Sequence, residues 1–251
     1  MAGYAAFPRS PFFIGAWRTS ANWAPSKWAL GERSGMSKVY DSSCRRCPRL
    51  AAFLDAVHAE HPTYFCKPVG PFGDAKAKLL IVGLAPGMHG ANRTGRPFTG
   101  DYAGILLYAT LAKFGFASAP VAVAVDDGLQ LLDARITNAV KCLPPDNKPL
   151  PAEIKTCNDF LHTELKASHD VQVIFALGLI AHEAVLRSYG RATKSLRFAH
   201  GAEHDLGDGR VLLDSYHCSR YNTSTRRLTT EMFETVVARA RAILDSANAV
   251  A

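Results

Sequence analysis

KLLIVGLAPGMHGANRTGRPFTGDYAGILLYATLAKFGF, Lys78–Phe116, decides how the rest of the chain is read. Its first six residues, Lys78–Gly83, are a short apolar run ending in glycine, as a strand buried on both faces is. From Asp101 to Phe116 the apolar residues take helical spacing, and the helix stops near Gly115. Between strand and helix lies a long connection in which Gly83, Gly87, Gly90, Gly95 and Gly100 permit close approach of the backbone to a ligand.

The same alternation continues downstream. Leu132–Val140 reads as a strand and Pro151–Ser168 as a helix opened by proline. Val171–Gly178 is a strand, Leu179–Tyr189 a helix, Arg210–Tyr216 a strand and Leu228–Ala247 a closing helix. Strands separated by helices predict an α/β domain, a mostly parallel sheet covered on both faces. Ligands in such sheets bind at the carboxyl ends of the strands. That directs attention to Leu84–Gly104, Asn138–Pro145, the residues after Gly178, and His217–Asn222. Upstream, residues 1–40 hold Trp17, Trp23 and Trp28 among Ala, Ser, Pro and Gly without periodicity. They read as an N-terminal extension to a domain spanning 41–251, with Met36 an alternative translation start.

The chain has 251 residues, 48% hydrophobic and 20% charged, which suits one large domain plus a tail. A net charge of +7 favours a polyanionic partner without identifying it. No stretch approaches the roughly 20 apolar residues of a membrane span, and Met1–Ser10 lacks the pattern of a secretory signal. A cytoplasmic monomer is therefore expected, and its six cysteines are read as ligands or thiols rather than disulfides. Cys44 and Cys47 form a C-x2-C pair, while Cys142 and Cys157 are joined by a proline-rich turn and a helix start. Four thiolates from two local pairs suit a zinc ion or an iron–sulfur cluster, and four ordinary buried thiols are the bland alternative. Cys66 and Cys218 have no local partner.

Each remaining candidate has an ordinary reading beside the functional one. Phe98 can plug a core, Asp101 can cap a helix, and Asn138 can bond a nearby backbone. His217 can be a satisfied structural histidine, and Arg220, Arg226 and Arg227 a solvated face. The glycine-rich loop is not a Walker loop, since no Lys-Ser/Thr follows, and it misses G-x-G-x-x-G.

Taken together the segments resemble a known family. GLAPGMHGANRTGRPFTGDYAG, ITNAVKCLPPDNKPLPAEIKTC and SYHCSRYNTSTRRLT resemble the three motifs of the uracil-DNA glycosylase superfamily, specifically its family 5, or type-b, iron–sulfur members. Cys44 and Cys47 match the N-terminal cluster pair, and the likeness runs over about residues 40–245. The resemblance implies a three-layer α/β/α sandwich around a four-stranded parallel sheet. It implies a 4Fe-4S cluster on Cys44, Cys47, Cys142 and Cys157, and uracil-containing DNA as substrate. Gly83, Ala85, Pro86, Gly87, Phe98 and Asn138 would form the base pocket, with Phe98 stacking on uracil and Asn138 reading its edge. His217 would face the base oxygen that gains charge, and Asp101 would hold water or stabilise the cationic sugar. Arg220, Tyr221 and Asn222 would enter DNA. Neither Leu84 nor Ala85 supplies the acid that related branches carry nearby, so Asp101 is the remaining carboxylate of that motif. Cys218 replaces the usual proline after the histidine, and Arg226 a usual glycine. These departures leave open a relative that binds or covalently traps uracil-DNA without turnover.

Overall fold

A computed structural model of the chain describes residues 39–248. The extension expected over residues 1–40, with its three tryptophans and Met36, lies outside the described residues except for its last two.

The first described helix, α1 (Pro48–Glu60), begins directly after Cys47 with proline in its first turn, where a missing N–H costs nothing. The sheet has six strands: β1 (Phe72–Gly73), β2 (Leu79–Gly83), β3 (Ala134–Asn138), β4 (Val173–Leu177), β5 (Glu203–Asp205) and β6 (Val211–Ser215). Their spatial order is β1-β3-β2-β4-β6-β5. The pairs β3–β2, β2–β4 and β4–β6 are parallel, and β1 and β5 join the edges antiparallel. The sheet therefore differs from the four strands expected. Edge strands of two and three residues are too short to show a period, and β5 (Glu-His-Asp) is polar.

The strand residues sort by face. Leu79 and Ile81 of β2 point into one core with α3 (Tyr102–Lys113) and α7 (Thr230–Asn248), around Tyr108, Phe175 and Phe233. Leu80 and Val82 point into the other, with α4 (Pro151–Ala167) and α5 (Leu179–Ser188). Full burial on both faces explains the uninterrupted apolar run, since each buried Leu or Ile side chain contributes about 1.5–3 kcal/mol. Two short helices, α2 (Ala91–Thr94) and α6 (Arg220–Ser224), sit within the connections after β2 and β6. The β4–α5 turn passes through Gly178 at φ +95°, a conformation open to glycine. Every parallel strand thus ends at the same edge of the sheet, where the glycine-rich loop, Asn138, Gly178 and His217 converge.

Candidate active site

A cavity of about 640 Å³ opens at that carboxyl edge. It is lined by Ala85, Gly87, Phe98, Asp101, Asn138, His217, Arg220, Asn222 and Arg227 among the candidates, and by Asn147, Phe198 and Tyr216, which the sequence did not single out. Gly83, Pro86 and Tyr221 do not line it. Gly83 stands behind the wall: a Cβ there would strike Asn138 Oδ1 and come within 2.6 Å of the Phe98 ring.

Phe98 is buried and held at φ +51°, in the left-handed region that side chains other than glycine rarely adopt. Such a residue costs about 1–3 kcal/mol unless its surroundings impose it. The imposing contacts flank it on both sides. Arg96, only 3% exposed, grips Asp127 with two guanidinium N–H groups at 2.9 and 2.6 Å. It also donates to Thr99 Oγ1 at 2.8 Å, and Tyr108 donates to the Pro97 carbonyl at 2.8 Å. Asp127 further accepts from the backbone N–H groups of Val123, Ala124 and Leu129. The Arg96 guanidinium holds its carboxyl well below the usual carboxylate range. The Phe98 ring is presented to the cavity, 5.9 Å centroid to centroid from His217 and inclined 29° to it.

Asn138 ends β3 opposite Gly83 and is 2% exposed. Its Oδ1 has no hydrogen-bond partner among the described residues. A buried acceptor left unpaired costs about 1–3 kcal/mol, which an N–H of a ligand would recover.

Asp101 fulfils its ordinary reading and still faces the cavity. It caps α3, accepting from the Gly104 N–H through Oδ1 at 2.8 Å. Its other oxygen lies against Gly90, where a Cβ would collide with the carboxylate. Burial raises its pKa, opposed by the backbone N–H groups of Gly104 and Ala103. Burial pushes His217 down to about 4, so at neutral pH it is an uncharged imidazole. Asn222 Nδ2 donates to the His217 carbonyl at 2.8 Å, bracing the histidine's backbone. The Arg220 guanidinium lies 5.9 Å over the ring of half-exposed Tyr102, and Tyr221 is 70% exposed beside the mouth. Cys218, in the place of the usual proline, is fully buried in the core and lines no part of the cavity. It anchors the loop by packing. Arg226 sits at φ +55°, which accounts for glycine being usual there in the related motif.

A second, smaller hollow is lined by Cys44, Cys47, Cys142 and Cys157 with Leu50, Val140 and Phe160. Burial, then repulsion from the other three sulfurs, pushes the Cys142 thiol up to about 12. Cys157 Sγ accepts from the Lys141 N–H at 3.3 Å. Cys66 lies apart, accepting at 3.4 Å from Asn92.

The crevice at the end of the parallel strands thus brings together an aromatic face, an unpaired amide oxygen, a neutral histidine and a helix-capping carboxylate. The model of the uracil DNA glycosylase superfamily matches residues 71–241, and the chain belongs to that superfamily. It is 46% identical over 205 residues to a type-5 uracil-DNA glycosylase of Thermus thermophilus, covering 80% of this chain and 93% of that protein. It is 43% identical over 209 residues to one of Mycobacterium tuberculosis, covering 80% and 78%. A type-4 enzyme of Archaeoglobus fulgidus is 33% identical over 148 residues, 59% of this chain and 60% of that protein.

Proposed function

We infer that this chain is a DNA-repair glycosylase that takes uracil out of DNA and hydrolyses its N-glycosidic bond, leaving an abasic site. The observation that carries this is the orphaned Asn138 Oδ1 beside Phe98 and Gly83 in a cavity with room for a flipped nucleotide. The superfamily membership and the type-5 relatives support it. A uracil within a duplex is out of reach, so the nucleotide is extruded at a cost of a few kcal/mol. The exposed Tyr221 and Arg220 are positioned to fill the gap, and basic side chains hold the phosphates.

In the pocket the Phe98 face stacks on the base. Asn138 accepts from the uracil imide N–H through Oδ1 and donates to a uracil oxygen through Nδ2, whereas cytosine presents the opposite edge. Bond breaking leaves a cation-like sugar and a uracil anion. The neutral His217 donates one hydrogen bond to the anionic oxygen, a contact that strengthens as charge develops and so acts on the transition state. The Asp101 oxygen not used in capping orients water toward the sugar carbon, and its negative charge stabilises the cation.

The four cysteines fit a 4Fe-4S cluster: thiols converging from the residues just before α1, from the segment after β3 and from α4, an apolar shell, and a backbone N–H on one sulfur. Bound there, the cluster would supply a fold-stabilising cross-link between the α1 segment and the residues that follow β3. The three-layer sandwich with a parallel centre, a monomeric state and action on DNA in the cytoplasm belong to the same reading. No helix among the described residues is long and apolar enough to cross a membrane.

The test is direct. Labelled DNA carrying one uracil is incubated with the full chain, then treated with alkali. Strand scission at the uracil, absent from the thymine control, is expected; intact strands with folded protein reject the activity. Asp101→Asn keeps the cap and should bind uracil-DNA while its single-turnover rate falls at least tenfold. A near-native rate would leave Asp101 as a cap alone.

A further inference from the structure

Behind the cavity wall lies a polar cluster that the proposed reaction does not use. Asp214 of β6 is fully buried, three residues before His217. Each of its oxygens faces an imidazole: Oδ1 is 2.9 Å from Nδ1 of His182 on α5, and Oδ2 is 3.2 Å from Nε2 of His204 on β5. His182 is equally buried, and its other nitrogen, Nε2, lies 3.1 Å from the carbonyl oxygen of Leu196.

The hydrogen-bond polarity of His182 does not close with neutral groups. Both ring nitrogens face oxygen acceptors, a carboxylate and a carbonyl, yet a neutral imidazole carries one N–H. If Nε2–H serves the Leu196 carbonyl, the Nδ1 lone pair is aimed at the anionic Asp214. The arrangement calls for a positive species between them, either a second proton or a metal cation. We propose that it is a divalent cation of the zinc class, held by His182 Nδ1, His204 Nε2 and the Asp214 carboxylate, with water completing the shell.

Four features favour the metal. Two imidazoles and one carboxylate are zinc donors and include no soft thiolate, which sets this site apart from the four cysteines. The three ligand atoms lie within 4.8 Å of one another, against roughly 3.3 Å for two ligands on one tetrahedral zinc. Gathering the three groups on one ion requires them to draw together by up to about 1.5 Å. The Leu196 carbonyl fixes the His182 tautomer from behind, as outer partners of metal-bound histidines do. Finally, His204 is 13% exposed on the edge strand, which gives an ion a way in to two groups otherwise sealed off.

The ion would tie β5, β6 and α5 together at the strand that delivers His217. His182 also meets the ring of Phe198 edge-on at 5.7 Å, and Phe198 lines the cavity with Tyr216. The site is thus a structural clamp behind the pocket wall, independent of which base the pocket takes.

The experiment uses the full chain, incubated with zinc and desalted, with zinc then counted by elemental analysis. Wild type should hold about one zinc per chain more than either Asp214→Asn or His204→Gln. Its melting temperature should rise with zinc by several degrees more than that of His204→Gln. Asp214→Asn removes a fully buried group and can unsettle the core. His204→Gln, on the edge strand, keeps the test valid if its circular dichroism and metal-free melting match wild type. Zinc bound elsewhere, at the cysteines for instance, would persist in His204→Gln and cancel in the difference. Equal zinc and equal thermal shifts in wild type and His204→Gln, or no zinc in wild type, overturn the proposal and assign the place to a second proton.

Discussion

The two loops that face each other across the cavity are built on opposite principles. The Leu84–Asp101 loop is held from inside the protein: Arg96 and Asp127 form a buried bidentate pair, Tyr108 fixes Pro97, and Phe98 is forced into a left-handed conformation. The His217–Arg227 loop is held from its own surface by short local bonds, the Ser219 cap and the Asn222 brace, with only Cys218 within it, and Leu228 just after it, sunk in the core. The first loop presents an aromatic face fixed by contacts inside the protein. The second carries exposed cationic and aromatic groups that can adapt to a partner. Under the proposed function, rigidity falls where a base would be discriminated, and adaptability where the DNA backbone would be met.

The largest expected effect tests the rigid side. Arg96→Met leaves Asp127 with its backbone donors but without its cation, and should cost about 3 kcal/mol of stability, read by urea unfolding. A loss under 1 kcal/mol would show that the loop does not depend on the pair. Next, His217→Ala should slow single-turnover excision by roughly a hundredfold while leaving unfolding near wild type. The same histidine sets an acid limit. The folded chain keeps it neutral down to about 4, whereas unfolding returns it to its ordinary value near 6.5. Its contribution to stability is therefore complete above 6.5 and is lost as the pH falls toward 4, a slope that His217→Ala should reduce. A smaller effect belongs to Asn222→Ala, which removes the brace on the His217 carbonyl and should cost about 1 kcal/mol, seen in the excision rate. An unchanged rate would mean that His217 is placed without it. The smallest is Arg220→Ala, which should weaken duplex binding about equally for all sequences and reduce the slope of log affinity against log salt by about 1. A changed base preference instead would move Arg220 from the adaptable side to the discriminating one.

What the sequence revealed follows the same division. The four central strands were legible because burial on both faces leaves an uninterrupted apolar run, and α3, α4, α5 and α7 because their faces repeat. The edge strands β1 and β5 were not, being too short or too polar to carry a period. Phe98, Asp101, Asn138 and His217 were reached through motif resemblance, and the structure brings all four to one cavity. Arg96 and Asp127 were missed because a pair separated by 31 residues leaves no local pattern. The same holds for His182 and Asp214, 32 residues apart. Asp101 shows that the ordinary and the functional reading need not compete, since one oxygen caps the helix while the carboxylate borders the cavity.

One short length of backbone has a wider consequence. Asn138 closes β3, and Cys142 follows four residues later, after Ala139 and Val140 have bonded back to Gly83 and Leu84 and Lys141 to the Cys157 sulfur. The amide that faces the cavity and the thiols of the second hollow are therefore joined by one short, hydrogen-bonded length of backbone. Under the proposed function, oxidation of those sulfurs is expected to disturb the Asn138 amide as well, since four residues of hydrogen-bonded backbone join the two.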